Sequence, residues 1–187
     1  MVDPFFLRFV SLGFSLLFLL ASMHKFFGLD EFAAALKEYE LVPRRLIRLP
    51  VYLIPIAEAS LAFGWLFAGQ VHIVAYASAG LLAAYALAMG INLYRGRGHI
   101  GCGCSFGGAL QHDQGLSAGL VLRNVGLASV ALVVTLSGPY REFSAGEYVM
   151  LVAAVLVSAL LYASVSQLFQ NGAAIKSWRN SLEAIHD

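Results

Sequence analysis

Charge is what this chain has least of. Lys, Arg, Asp and Glu supply 12% of its 187 residues, about half the share usual in a soluble domain. That scarcity excludes an ordinary water-soluble globule. Twelve basic side chains face eleven acidic ones, for a formal net charge of +1. No basic block is present, which excludes a protein that grips nucleic acid by its phosphates. Cysteine is scarcer still, at two, too few for a multi-disulfide scaffold, so the pair is either a site or unremarkable. No internal repeat is visible. A clear signal-peptide pattern is also missing: Asp3 precedes the first apolar run and Arg8 lies inside its start. The first segment is therefore expected to be a retained helix.

Apolar side chains are abundant instead, at 59% of the chain, and they are gathered into runs. Five stand out, at about Pro4–Met23, Pro50–Ala68, Val71–Tyr94, Leu116–Leu136 and Tyr148–Phe169. Each approaches the ~20 residues that cross a hydrocarbon core as a helix. A lone strand in lipid would leave its backbone unpaired. The expected fold is an all-α polytopic membrane bundle over residues 1–170, with a short polar tail at 171–187. Ala75, Ser78, Gly80, Ala83, Ala84 and Ala86 in the third run, and Ala153, Ala154, Ser158 and Ala159 in the fifth, are small enough to face neighbouring helices. Gly69 and Gln70 force a hairpin between the second and third runs. In the long first connection, Asp30 can cap a helix over Glu31–Tyr39, with Phe32, Leu36 and Tyr39 on one face. Pro43 ends it, and the segment should lie along the membrane surface or extend the first span. Phe26, Phe27, Tyr52, Trp65, Tyr94 and Tyr140 fall near run ends, as an interfacial aromatic belt would.

The chemistry concentrates in a loop at 95–115. Cys102 and Cys104 flank Gly103 there, with Gly96, Gly98, Gly101, Gly107 and Gly108 nearby. Glycines allow tight turns and close approach of a partner. A Cys-X-Cys pair can close a small, strained ring, and strain makes a disulfide a ready oxidant. Arg95, Arg97 and His99 favour the thiolate and so speed exchange. The same loop offers a different chemistry: His99, Cys102, Cys104 and His112 could hold zinc, and a Cys-X-Cys pair also suits Cu(I). A third reading is a non-catalytic scaffold subunit.

Glu58 lies inside the second run and Arg123 inside the fourth, both about 10 Å below the loop face by helical rise. A carboxylate in hydrocarbon needs a partner or a cavity. An ion pair between Glu58 and Arg123 is one expectation, with Asn92 and Asn124 completing a polar pocket beneath the loop. With five spans, the cysteine face also carries Lys25, Lys37, Arg44, Arg45, Arg48, Lys176 and Arg179. The positive-inside rule then puts that face in the cytoplasm.

These motifs resemble a known family. His24-Lys25-Phe26-Phe27, Leu36-Lys37-Glu38-Tyr39-Glu40-Leu41-Val42-Pro43 and Pro55-Ile56-Ala57-Glu58 look like the first half of the MauE branch of DoxX-like membrane proteins. Asn92-Leu93-Tyr94-Arg95-Gly96-Arg97, Cys102-Gly103-Cys104-Ser105-Phe106-Gly107 and Leu122-Arg123-Asn124 look like its second half. Ser105 is a departure, standing where the family often runs directly from Cys to Phe-Gly. The resemblance implies a DoxX-like four-helix bundle with one added span, in a bacterial inner membrane. It implies a thiol–disulfide role in maturing an exported client, the small subunit of methylamine dehydrogenase, with a thioredoxin-like partner of the MauD type. Quinone is the candidate electron acceptor. Disulfide delivery to an exported client belongs outside the cytoplasm, so the implied role and the charge rule place the loop on opposite sides.

Overall fold

The computed structural model describes residues 4–67, 71–97, 116, 118–136, 144, 146–147, 149–158, 160–161 and 164. All regular structure among them is helical. α1 is Pro4–Phe27, α2 is Leu29–Tyr39, α3 is Arg48–Phe67, α4 is Val71–Tyr94 and α5 is Ala118–Val133. Short 3-10 turns at Arg44–Leu46 and Val134–Leu136 lead into α3 and continue α5. Four helices are long and apolar enough to cross a membrane: Phe5–Phe27, Arg48–Phe67, Val71–Tyr94 and Ala118–Leu136.

The distribution of side chains identifies the solvent. Phe27, Ile73, Leu87 and Leu122 are exposed, while Lys25, Glu58, Ser78 and Asn92 are buried. Water would reverse that arrangement; lipid accepts apolar side chains outside and drives ionised ones inward. The chain is a polytopic α-helical membrane protein.

The chain divides into two compact units, Met1–Arg141 and Glu142–Asp187. In the first, α1 packs chiefly on α3 and α4 on α5, and α3 and α4 are joined across residues 68–70 as the expected hairpin. The core stacks Phe14 against Trp65, ring centroids 5.1 Å apart, over Ala62, Ala75 and Ala131. Alanine at these positions lets the helix backbones close up. In the second unit, Val149–Ser158 is a shorter apolar helix. A capping box precedes it: the Ser144 N–H donates to Glu147 Oε2 at 2.8 Å, and the Glu147 N–H donates to Ser144 Oγ at 3.4 Å. Of the rest of the expected fifth run, residues 160–161 and 164 are described and helical, and the tail at 171–187 lies outside the described residues.

Four details differ from expectation. α1 runs to Phe27 rather than Met23. α2 starts at Leu29 with Gly28 at its N-cap, and Asp30 sits in the first turn without capping it. Gly80, Ala83 and Ala84 face outward, and only Ala75, Ser78 and Ala86 of that set are buried. Small size permits close packing, but helical phase decides which face receives it. Trp65 is 4% exposed and donates from Nε1 to Ser78 Oγ at 2.9 Å. It is a core residue with its polar edge satisfied, not part of an interfacial belt.

Candidate functional site

The helices carry their buried residues at alternating spacings of four and three. On α1 the stripe includes Ser11, Ser15, Phe18, Ser22 and Lys25. On α3 it is Val51, Pro55, Glu58, Ala62 and Trp65. On α4 it includes Val71, Ala75, Ser78, Leu82, Met89 and Asn92, with half-buried Tyr85 in register between Leu82 and Met89. A seven-residue period keeps one seam facing its neighbours along a slightly supercoiled bundle. Three such seams bring Lys25, Glu58 and Tyr85 together.

Lys25 Nζ donates to Glu58 Oε1 at 2.7 Å and to Oε2 at 2.9 Å. Tyr85 Oη donates to the same Oε1 at 2.7 Å. The two charged side chains are 2% and 1% exposed. The ammonium also lies 5.5 Å from the Phe32 ring centroid and 5.6 Å from that of Tyr85, within cation–π range. The cluster therefore ties α1, α2, α3 and α4 at one level. One turn before Glu58, Pro55 lacks the N–H that would reach the Val51 carbonyl. Taking two charges out of water costs several kcal/mol per ion, and mutual attraction roughly repays it when the geometry is good. The pair thus contributes little net stability while intact, and a great deal is lost if one partner goes.

Glu58 is buried as expected, but its partners are Lys25 and Tyr85 rather than Arg123. Arg123 is exposed on α5. The expected Glu58–Arg123 pair is corrected by the longer α1, which carries Lys25 into the core. Asn92 is completely buried and donates from Nδ2 to the Ala88 carbonyl at 3.0 Å. Its Oδ1 is buried and has no hydrogen-bond partner among the described residues. Asn124, 5% exposed, donates in the same way to the Leu120 carbonyl at 2.9 Å. Each amide turns back on its own helix, so the two asparagines line the α4 and α5 seams without completing a network around Glu58.

Cys102 and Cys104, with His99 and His112 of the metal alternative, lie outside the described residues. Both ends of their segment are described. At one end, the Gly96 N–H donates to the Leu93 carbonyl and the Arg97 N–H to the Asn92 carbonyl, each at 3.0 Å, with Gly96 at φ +74°. This double bond pattern is a Schellman motif, and it needs glycine at the left-handed position. At the other end, Leu116 is buried with Tyr39 of α2 and Met89 of α4. Segment 98–115 thus starts and finishes at the same end of the bundle. Among the described residues, no group of His, Cys, Asp and Glu is arranged to hold a metal ion.

Lys25 and Tyr85 are site residues that run length and composition leave unmarked. Reading Lys25 as part of a connection put it on the surface. The signal was present, since Ser11, Ser15, Phe18 and Ser22 set a phase that lands on Lys25.

The family profile described as Methylamine utilisation protein MauE matches residues 3–137. The methylamine utilization protein MauE of Paracoccus denitrificans is 32% identical over 139 residues, covering 74% of this chain and 73% of that protein. Its counterpart in Paracoccus versutus is 32% identical over 81% of each chain. That of Methylorubrum extorquens is 30% identical over 92% of this chain and 93% of its own. No solved structure matches.

Proposed function

The chain belongs to the MauE family of methylamine utilisation proteins, and on that premise we propose that it is a membrane thiol–disulfide redox protein whose working pair is Cys102 and Cys104. The observation that carries the reading is the setting of the pair. The only two cysteines of the chain are separated by one glycine. Their segment springs from two anchored ends at one end of a helical bundle.

The exchange proceeds in two displacements. One cysteine thiolate attacks a sulfur of a partner's disulfide; the partner's S–S bond breaks and a partner thiolate leaves. The second cysteine then attacks its neighbour's sulfur in the mixed disulfide, and the other partner thiolate leaves. Two electrons have moved to the partner, and Cys102 and Cys104 are joined. The reverse sequence oxidises the partner. A thioredoxin-like protein of the MauD type fits the partner role. An exported, disulfide-containing client such as the small subunit of methylamine dehydrogenase fits the end of the chain. A membrane quinone is an acceptor within reach of a lipid-embedded protein: dithiol and quinone would give disulfide and quinol. The inner membrane of a bacterium is the setting this role requires.

Alkylation trapping of the full-length protein in cells tests the reading. Cys102 and Cys104 should shift between free and blocked on treatment with reductant, and a Cys102→Ser, Cys104→Ser double variant should assemble yet lose function. Cysteines that stay reduced under oxidising conditions overturn the proposal. So does stoichiometric zinc or copper that is lost in His112→Ala.

A further inference from the structure

We propose that α2 is a lid over the buried Lys25–Glu58–Tyr85 cluster and that an ion pair between Glu40 and Arg97 is the clasp that keeps it shut. The clasp does not depend on whether Cys102 and Cys104 exchange.

α2 is joined to α1 through Gly28 alone. That residue has non-helical dihedrals, φ −121° and ψ 45°. Across the break the Gly28 N–H reaches the His24 carbonyl and the Phe32 N–H reaches the Gly28 carbonyl. α2 is set off from α1 at Gly28 and from the turn at Arg44–Leu46 by residues 40–43, the two points at which it would hinge. Its inner face offers two buried anchors, Phe32 and Tyr39. Phe32 lies against the Lys25 ammonium, so the helix covers one side of the ion pair. Tyr39 packs with Met89 and Leu116. The outer face is charged, with Asp30, Glu31, Lys37 and Glu38 exposed, which suits a segment able to meet water.

The residue that ends α2 carries the argument furthest. Glu40 is left-handed, at φ +48°, and its N–H reaches the Lys37 carbonyl. Glycine is the usual choice there because a Cβ is penalised in that conformation. The same chain uses glycine for this purpose at the end of α4, where Gly96 has φ +74°. At the end of α2 it instead accepts the penalty of a glutamate. What the glutamate adds is its carboxylate, which receives Arg97 Nη2 at 2.6 Å. A local rule broken with a specific contact in return marks a side chain with a task. The Arg97 backbone is held by its bond to the Asn92 carbonyl, so the clasp joins the end of α2 to the end of α4. Because Arg97 adjoins segment 98–115, the lid and that segment share one fastening.

Hydrogen–deuterium exchange of the full chain in lipid nanodiscs tests the clasp. The pair is partly exposed, at 33% and 59%, so its loss should speed exchange over 29–39 by about fivefold, the upper range for surface pairs. Arg97→Gln should do this while leaving α3 and α4 unchanged. Glu40→Gly should do the same, although glycine improves the helix end. Exchanging the charges, Glu40→Arg with Arg97→Glu, should restore slow exchange, and added salt should loosen α2 in the unaltered protein. Unchanged or slower exchange in Glu40→Gly would show that residue 40 is only a helix end and would overturn the proposal. If that variant does not fold, Arg97→Gln and the salt series decide: no acceleration in either overturns it equally.

Discussion

Lys25 is the side chain whose loss should hurt most. In Lys25→Met, the Glu58 carboxyl is left inside the bundle with Tyr85 as its remaining hydrogen-bond partner among the described residues. Breaking a buried pair from one side costs about 3–5 kcal/mol. Removing both, as Lys25→Met with Glu58→Gln, should recover most of that loss, since the desolvation penalty disappears with the charges. Thermal unfolding in detergent, compared across the two single variants and the double, measures the coupling. Losses that simply add would show that the pair does not interact. Tyr85→Phe removes one hydrogen bond to a charged acceptor and should cost about 1.5–3 kcal/mol. Arg123→Leu should add independently to Glu58→Gln, because the carboxylate's bonds go to Lys25 and Tyr85. At this scale the sequence was half legible. A carboxylate inside an apolar run announces itself, so Glu58 could be found alone. Its partner could not be found by matching depth, because Arg123 matches too. Only the phase of α1 separates the two candidates, and that phase is visible once the helix is allowed to run past Met23.

At the scale of elements, four apolar runs became helices close to their expected bounds, since run length is set by bilayer thickness and written directly in composition. Contacts between elements were harder to read. Gly64 shows why. A Cβ built there would stand 3.1 Å and 3.3 Å from the two γ-carbons of Val74. α3 and α4 therefore meet at a glycine opposite a branched side chain that has little rotamer freedom to yield. Gly64→Ala should destabilise the hairpin by about 1–3 kcal/mol through overpacking. Adding Val74→Ala should return most of the loss, because it removes both clashing carbons. Unfolding of the single and double variants checks this; no rescue by Val74→Ala would place the crowding elsewhere. Nothing in the sequence marks Gly64 apart from Gly80 or Gly90, which have no atom within 4 Å of an added Cβ. Small residues are permissive on any face, and the neighbour across the seam decides which of them matters.

For the molecule as a whole, the open question is which side of the membrane the cysteine segment faces, and two physical arguments collide there. The positive-inside rule counts lysines and arginines near span ends. Lys25 leaves that count, being buried against Glu58, but Arg45, Arg48 and Arg95 remain exposed at the end of the bundle where α3 begins and α4 finishes. Taken alone, they point that end to the cytoplasm. Disulfide formation in an exported client requires an oxidising compartment, and glutathione-poised cytosol would hold an accessible pair reduced. The chemistry of the proposed role outweighs a statistical preference. A membrane-impermeant maleimide applied to intact spheroplasts should therefore label Cys102 and Cys104, and more strongly after mild reductant than before. Labelling only after permeabilisation would move the pair to the cytoplasmic side. Delivery to an exported client would then fail, while exchange itself could persist with a cytoplasmic thiol donor. Side and redox state are read in one measurement, so the location and the chemistry can fail separately.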